Sequence, residues 1–160
     1  MDINFIAILV AAFVPVIMGY IWYNPRTFGA IWICEAGLTS EILKKGNLVK
    51  IVILTVVFSF IIAFVLQFYT IHQTGALGMI GGNSTDALPS YTAFMADYGT
   101  AFRTFKHGAL HGFMAGAIFI FPVLAINALF ERRSWKYVFI NSGYWIVCTT
   151  IMGGIVCGWN

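Results

Sequence analysis

Residues 50–71 read KIVILTVVFSFIIAFVLQFYTI, a stretch whose one charged residue, Lys50, stands at its first position. A run of about 20 apolar residues crosses the hydrocarbon of a bilayer, and a helix satisfies its own backbone hydrogen bonds there. Runs of the same kind occur at residues 3–23, 108–130 and 137–158. We therefore predict an all-α membrane protein with four transmembrane helices in a bundle.

The composition leaves little material for a soluble domain. Hydrophobic residues make up 60% of the chain and charged residues 9%, which is far from the balance of soluble proteins. We expect one four-helix transmembrane domain over residues 1–160. The formal charge of +3 is too small to indicate nucleic acid, so the lipid bilayer is the expected partner. Asp2 precedes the first run without any Lys or Arg, which favours a retained span over a secretory signal.

Basic residues are distributed unevenly among the three connections between the predicted spans. The long second connection, residues 74–106, carries only Arg103 and Lys106. The basic residues of the first and third connections are Arg26, Lys44, Lys45, Lys50, Arg132, Arg133 and Lys136. Basic residues near helix ends stay in the cytoplasm. We therefore predict a multi-pass protein of the bacterial inner membrane, with both termini and the connection 74–106 outside.

The second connection has two parts with different patterns. Residues 75–89 are rich in Gly, Asn, Ser and Asp, which predicts an exposed loop. Aromatic residues then recur at helical spacing from Phe94 to Phe105, with polar residues between them. This pattern predicts an amphipathic helix over residues 90–105, capped by Ser90 and placed before the third span.

Small residues characterise the outer halves of the third and fourth spans. The third span opens with Gly108, Gly112 and Gly116, and the fourth carries Gly154 and Gly158 near its end. Glycines four residues apart form a smooth stripe that lets membrane helices approach closely. The direct interpretation is helix packing inside one chain, and the alternative is contact between the subunits of a homo-oligomer.

Prolines should interrupt two of the spans. Pro15 lies inside the first apolar run and Pro122 inside the third. Proline lacks the backbone N–H that an interior helical position donates, and its ring clashes with the preceding turn. We expect a kink near Pro15 and a bend after Pro122, since membrane helices tolerate proline better than soluble helices do.

All three histidines fall in the predicted outer half. His72 ends the second span, while His107 and His111 begin the third, one helical turn apart. Imidazoles at this spacing hold zinc or copper when other groups complete the shell, and Asp86 and Asp97 are candidates for that role. Two alternatives remain open: hydrogen bonds from the imidazoles to loops or backbone, and ligation of a b-type haem by histidines from different helices.

A second polar cluster is predicted at the inner surface. Trp22, Asn24 and Arg26 follow the first span, and Glu131 and Arg132 lie in the turn between the third and fourth spans. Aromatic and basic residues at helix ends commonly anchor a protein at the headgroup level. The alternative is a docking surface for a cytoplasmic or membrane partner.

The chain offers no recognisable enzymatic motif. GxSxG, HExxH and Walker patterns are missing, and the six acidic residues all lie outside the apolar centres of the runs. We therefore expect no enzymatic activity and no cofactor other than a metal ion at the histidines. The leading hypothesis is a membrane protein that acts through helix packing, as a homo-oligomer or as an accessory subunit of a complex. The alternative is a small-solute or metal-ion channel or binding protein that uses the histidines.

Two stretches carry a resemblance to a known family. These are residues 19–25 (GYIWYNP), continued by Phe28-Gly29, Trp32 and residues 37–41, and residues 127–153 from Asn127 through Tyr144 to Gly153. In these stretches the chain resembles the bacterial family called domain of unknown function 1761 (DUF1761). The resemblance implies a small four-helix membrane protein and supplies no activity or catalytic residues.

Overall fold

In the computed structural model, residues 3–159 are described; Met1, Asp2 and Asn160 lie outside them, and with them the extreme ends of the predicted domain. The described chain is helical and contains no strand. Its helices are Phe5–Ala12, Val14–Trp22, Gly29–Ala36, Ser40–Lys44, Leu48–Thr70, His72–Met79, Pro89–Tyr98, Phe105–Met114, the π-helical segment Ala115–Ile120, Phe121–Phe130 and Trp135–Gly158.

Within residues 3–159, four helical stretches are long and apolar enough to cross a membrane. We name them span 1 (Phe5–Trp22), span 2 (Leu48–Thr70), span 3 (Phe105–Phe130) and span 4 (Trp135–Gly158). Each begins within three residues of its predicted start, and the prediction of an all-helical chain with four such helices is confirmed.

Both prolines lie at interruptions of a span. Span 1 divides at Phe13, and Pro15 stands in the first turn of its second segment. In span 3 the π-helical segment ends two residues before Pro122. Proline cannot donate to the carbonyl four residues earlier, so the regular hydrogen-bond ladder changes at each site.

Span 4 packs against the other three spans. Half of its most apolar window is buried inside the molecule, compared with 11% for span 2. The buried residues Cys148, Met152 and Val156 of span 4 meet Ile8 from span 1 and Leu66 from span 2 in one core cluster. Span 2 therefore presents most of its apolar surface outward.

The connection between spans 2 and 3 contains more helix than the sequence indicates. A helix at His72–Met79 occupies part of the predicted loop. The helix at Pro89–Tyr98 ends before the predicted residue 105, because Thr104 caps a new helix that starts at Phe105. Leu88 takes the cap position that was predicted for Ser90, since proline has a favourable φ for the first helical position and needs no partner for an N–H.

Two hydrogen bonds show which elements share one end of the molecule. The Asn4 side-chain amide donates to the Trp159 carbonyl at 3.2 Å, which joins the start of span 1 to the end of span 4. Arg103 Nε donates to the Cys157 carbonyl at 3.1 Å, which places the start of span 3 beside them. We call this the histidine end, because it also holds the three histidines.

Candidate metal centre

The three histidines meet at the histidine end. The ring centroids of His72 and His107 are 4.8 Å apart, those of His72 and His111 are 5.0 Å apart, and those of His107 and His111 are 4.4 Å apart. One ring nitrogen from each residue lies within 4.8 Å of the others. His72 is exposed and the other two are half-buried, so an ion can reach the cluster from the surface.

Local backbone features bring the histidines together. His107 and His111 lie one turn apart on span 3, as their spacing predicts, and Thr104 Oγ1 accepts a hydrogen bond from the His107 backbone N–H. Span 2 ends at Ile71, whose backbone is extended with φ −106° and ψ 103°. That break starts a new helix at His72 and allows its ring to meet the pair on span 3. The Ile71 side chain is buried and anchors the break.

The cluster has the dimensions of a transition-metal site. His72 Nε2 and His107 Nε2 are 3.0 Å apart. Ligand nitrogens at about 2.0–2.1 Å from a tetrahedral zinc ion lie roughly 3.3 Å from one another. The three ring nitrogens lie within 4.8 Å of one another, so side-chain rotation would be needed to bring all three to this spacing around one ion.

The structure does not bring the predicted aspartates to the cluster. Among the described residues, the group of possible ligands consists of the three histidines alone, without Asp86 or Asp97. Asp86 lies in its own turn, where it accepts a hydrogen bond from Asn83 at 3.1 Å. The haem alternative also fits poorly, because the imidazole rings contact one another and leave no space between them for a porphyrin.

Aromatic rings border the cluster on two sides. The Tyr69 ring is 5.7 Å from that of His111, and the Phe102 ring is 5.2 Å from that of His107. Phe102 has a φ of 62°, which is unusual for a bulky residue and is typical of segments that the surrounding structure holds in place. Gln73 holds this segment by two hydrogen bonds: its Nε2 donates to the Tyr98 and Ala101 carbonyls at 2.7 and 2.9 Å.

The glycines of span 3 lie against span 4 of the same chain. A Cβ added to Gly108 would overlap the Gly153 carbonyl, and one added to Gly112 would overlap that of Thr149. A Cβ added to Gly116 would lie 2.6 Å from the Ile146 Cα, which is also too close. These three glycines are thus covered within the chain, which agrees with the direct interpretation of their spacing.

The glycines of span 4 contribute to the same contact in different ways. Gly158 lies against the Phe105 backbone, and Gly154 lies near Phe105 and Ala109. Gly153, which the spacing argument missed, is closer to span 3 than Gly154 is. The stripe Thr149, Gly153 and Cys157, of small residues four apart, was the signal in the sequence that identifies the contacting face.

At the opposite end, span 1 is tied to span 4 through aromatic residues. Trp22 Nε1 donates to the Ile140 carbonyl at 3.0 Å, and the Tyr23 hydroxyl donates to Asn141 Oδ1 at 3.0 Å. Burial raises the pKa of Tyr23, so its hydroxyl stays protonated and remains a donor. Trp22, predicted as part of a docking surface, is therefore engaged within the chain.

Of the other residues predicted for the docking surface, Asn24, Arg26 and Glu131 contact residues of their own turns. Arg132 lies next to Arg133, which contacts another helix. Asn24 Oδ1 accepts from the Arg26 backbone N–H at 3.0 Å, which shapes the turn after span 1. Glu131 pairs with Arg133 at 3.6 Å. Arg133, rather than its neighbour Arg132, also donates to the Ala36 carbonyl at 3.1 Å. Arg132 has a φ of 58° in the tight turn between spans 3 and 4.

Residues 6–157 match the family described as "Protein of unknown function (DUF1761)". The chain belongs to the DUF1761 family. This confirms the resemblance seen in residues 19–41 and 127–153. No curated protein and no solved structure matches this DUF1761 protein. The family description names no activity, so the chemistry of this DUF1761 protein has to be argued from its own residues.

Proposed function

We propose that this DUF1761 protein is an integral membrane protein that binds one transition-metal ion at His72, His107 and His111. The observation that carries the proposal is the approach of one ring nitrogen from each histidine to within 4.8 Å of the others. Imidazole is a ligand that suits zinc, copper and nickel, and three histidines with an open fourth position form a known type of zinc site. We propose binding without an enzymatic reaction, because the sequence carries no recognisable enzymatic motif.

The metal content of the purified protein tests this proposal directly. The protein is purified with a tag that contains no histidine, dialysed against Zn²⁺ or Cu²⁺, and analysed for metal per chain. We expect about one ion per chain, and at least a tenfold loss in the His107→Ala/His111→Ala variant. Lys106→Ala, an exposed neighbour in the same turn, is the matched control and should retain the ion. Equal metal content in the double variant and the control would disprove the site.

We also propose that the protein lies in the bacterial inner membrane with the histidine end outward. The seven basic residues of the first and third connections support this orientation. The bond between Asn4 and Trp159 supports a common side for both chain ends. Alkaline phosphatase fused after Asn160 should be active in this orientation, whereas a fusion in the turn at Arg132 should be inactive. The reverse pattern would contradict it.

A second proposal concerns assembly, as a homo-oligomer or as an accessory subunit. It is favoured by span 2, whose apolar surface is mostly uncovered within the chain. The glycines of span 3 do not serve this purpose, since span 4 already covers them. Native mass measurement in mild detergent should show more than one chain, and Phe58→Ala on span 2 should weaken the complex more than Phe139→Ala on span 4. Both phenylalanines are exposed to a similar extent. A lone monomer from native membranes would count against the proposal.

A further inference from the structure

A cavity of about 700 Å³ lies between spans 2, 3 and 4. Span 2 contributes Val65 and Tyr69 to its wall, span 3 contributes Ala115 and Ile118, and span 4 contributes Trp145. Val65 and Ile118 are 58% and 67% exposed, so the cavity opens sideways, toward the surface that surrounds the spans. Thr149, also in the wall, donates its hydroxyl to the Trp145 carbonyl at 2.8 Å, which leaves an apolar lining.

The π-helical segment of span 3 explains why the cavity exists. The segment Ala115–Ile120 forms much of one wall, and Gly116 within it is pressed against span 4. A π-helical turn holds an extra residue and displaces the side chains beyond it, and such turns occur frequently at functional sites. The small side chain of Ala115 leaves the space between spans 2 and 3 unfilled.

The cavity continues the face that carries the histidines. Met114 and Ala115 stand three and four residues after His111, so they share its side of span 3. On span 2, Tyr69 lines the cavity and also contacts the His111 ring. One end of the cavity therefore lies within a helical turn of the candidate metal centre.

The dimensions and lining indicate what fills the cavity. An apolar cavity holds water poorly, and in a bilayer the available apolar material is hydrocarbon. Along span 2 the wall extends from Ile61 to Tyr69, a rise of about 12 Å at 1.5 Å per residue. One leaflet contributes about half of the 30 Å hydrocarbon core, so this length matches a chain within a single leaflet.

We propose that the cavity binds one acyl chain of an anionic phospholipid whose phosphate lies against the metal ion at the histidines. The headgroup part rests on the proposed function. A divalent ion held by three neutral imidazoles keeps its positive charge and an open position, and phosphate oxygen is a suitable ligand for it. Lys106, exposed beside His107, adds positive charge at this end. The protein thus joins a metal ion to a lipid of the surrounding membrane.

The test compares two valines of span 2, one that lines the cavity and one that lies outside it. Val65 lines the cavity, whereas Val57 is exposed on the same helix outside it. The zinc-loaded protein is placed in nanodiscs with equal phosphatidylglycerol and phosphatidylcholine, released, and its retained lipid and zinc are measured by native mass spectrometry. We expect one retained phosphatidylglycerol, at least fivefold over phosphatidylcholine. Val65→Trp should lose at least 80% of it with zinc still bound, and Val57→Trp should behave as the wild type.

The outcomes separate this inference from the proposed function. If zinc is present and Val65→Trp retains as much lipid as Val57→Trp, the cavity proposal is overturned while the metal site stands. Equal retention of the two phospholipids, or retention of an isoprenoid quinone in their place, also overturns it. If the wild-type protein holds no zinc, the proposed function fails, and the headgroup contact fails with it.

Discussion

Gly112 in span 3 and Thr149 in span 4 touch backbone to backbone: a Cβ on Gly112 would overlap the Thr149 carbonyl. This contact lies one residue beyond His111, so the same close approach that joins the two spans also positions one of the three proposed metal ligands. Membrane helices obtain much of their association energy from such packing, because lipid surrounds them and no water is displaced.

Replacing Gly112 with leucine should lower the free energy of unfolding by about 3 kcal/mol, since spans 3 and 4 must move apart to admit the side chain. Thermal unfolding in detergent, followed by circular dichroism, measures the change. Gly75→Ala is the matched control, because nothing lies within 4 Å of a Cβ built there. A Gly112→Leu protein as stable as the control would show that the two backbones are not in contact.

Tyr144→Phe should destabilise the protein by about 1–3 kcal/mol. The buried Tyr144 hydroxyl donates to the Pro15 carbonyl at 2.7 Å, and its loss leaves a buried acceptor without that donor. Tyr20→Phe removes the same atom from a residue that is 80% exposed and should change stability by less than about 0.5 kcal/mol. The two variants are compared by unfolding in a denaturing detergent. Equal stabilities would contradict a stabilising role for this bond between span 4 and Pro15 of span 1.

Metal should stabilise the folded protein if the proposed site is real. A ligand present at a hundred times its dissociation constant adds about 2.7 kcal/mol to the free energy of unfolding. We expect the melting temperature to rise with added Zn²⁺ and to return to its starting value when EDTA removes the ion. In His72→Ala, Zn²⁺ should leave the melting temperature unchanged. A zinc-dependent rise of the same size in His72→Ala would place the binding elsewhere in the chain.

At the opposite end, Arg133→Ala should cost about 1 kcal/mol. Arg133 donates to the Ala36 carbonyl and lies 5.5 Å above the Tyr137 ring, but its ion pair with Glu131 is exposed and contributes little. Arg132→Ala, in the same turn, should change stability by less than half as much. Hydrogen exchange of residues 29–36 gives a second readout, because Arg133 holds the end of that helix. If exchange became faster in Arg132→Ala and not in Arg133→Ala, Arg132 rather than Arg133 would hold the end of that helix.

The histidine cluster shows which contacts the spacing of residues predicts and which contacts it does not. The pairing of His107 and His111 follows from one turn of a helix and was predicted from their separation. The position of His72 depends on the extended backbone at Ile71. A β-branched residue favours extended backbone, but in a run that holds many Ile and Val residues it does not mark where the helix breaks. Among the described residues, neither Asp86, which precedes the helix at Pro89–Tyr98, nor Asp97, in its last turn, belongs to the group of possible ligands.

The glycine contacts, too, were predicted only in part from the sequence. Spacing of four in span 3 predicted a close approach, but it could not distinguish a partner in the same chain from one in another subunit. The structure shows Gly108, Gly112 and Gly116 against span 4. In span 4 the choice between Gly153 and Gly154 rests on a rotation of about 100° around the helix axis, which only packing against a partner helix defines.

The sequence by itself determined that this is an all-helical chain with four helices able to cross a membrane, because hydrocarbon tolerates only backbones that satisfy their own hydrogen bonds. It also determined the family and the interruptions near Pro15 and Pro122. Only the tertiary structure decided which faces of the spans meet, that three histidines from two helices share one point, and that a cavity lies beside them. These features depend on side-chain contacts between segments far apart in the chain, and in so uniformly apolar a sequence only the small residues of spans 3 and 4 form a pattern that marks a contacting face.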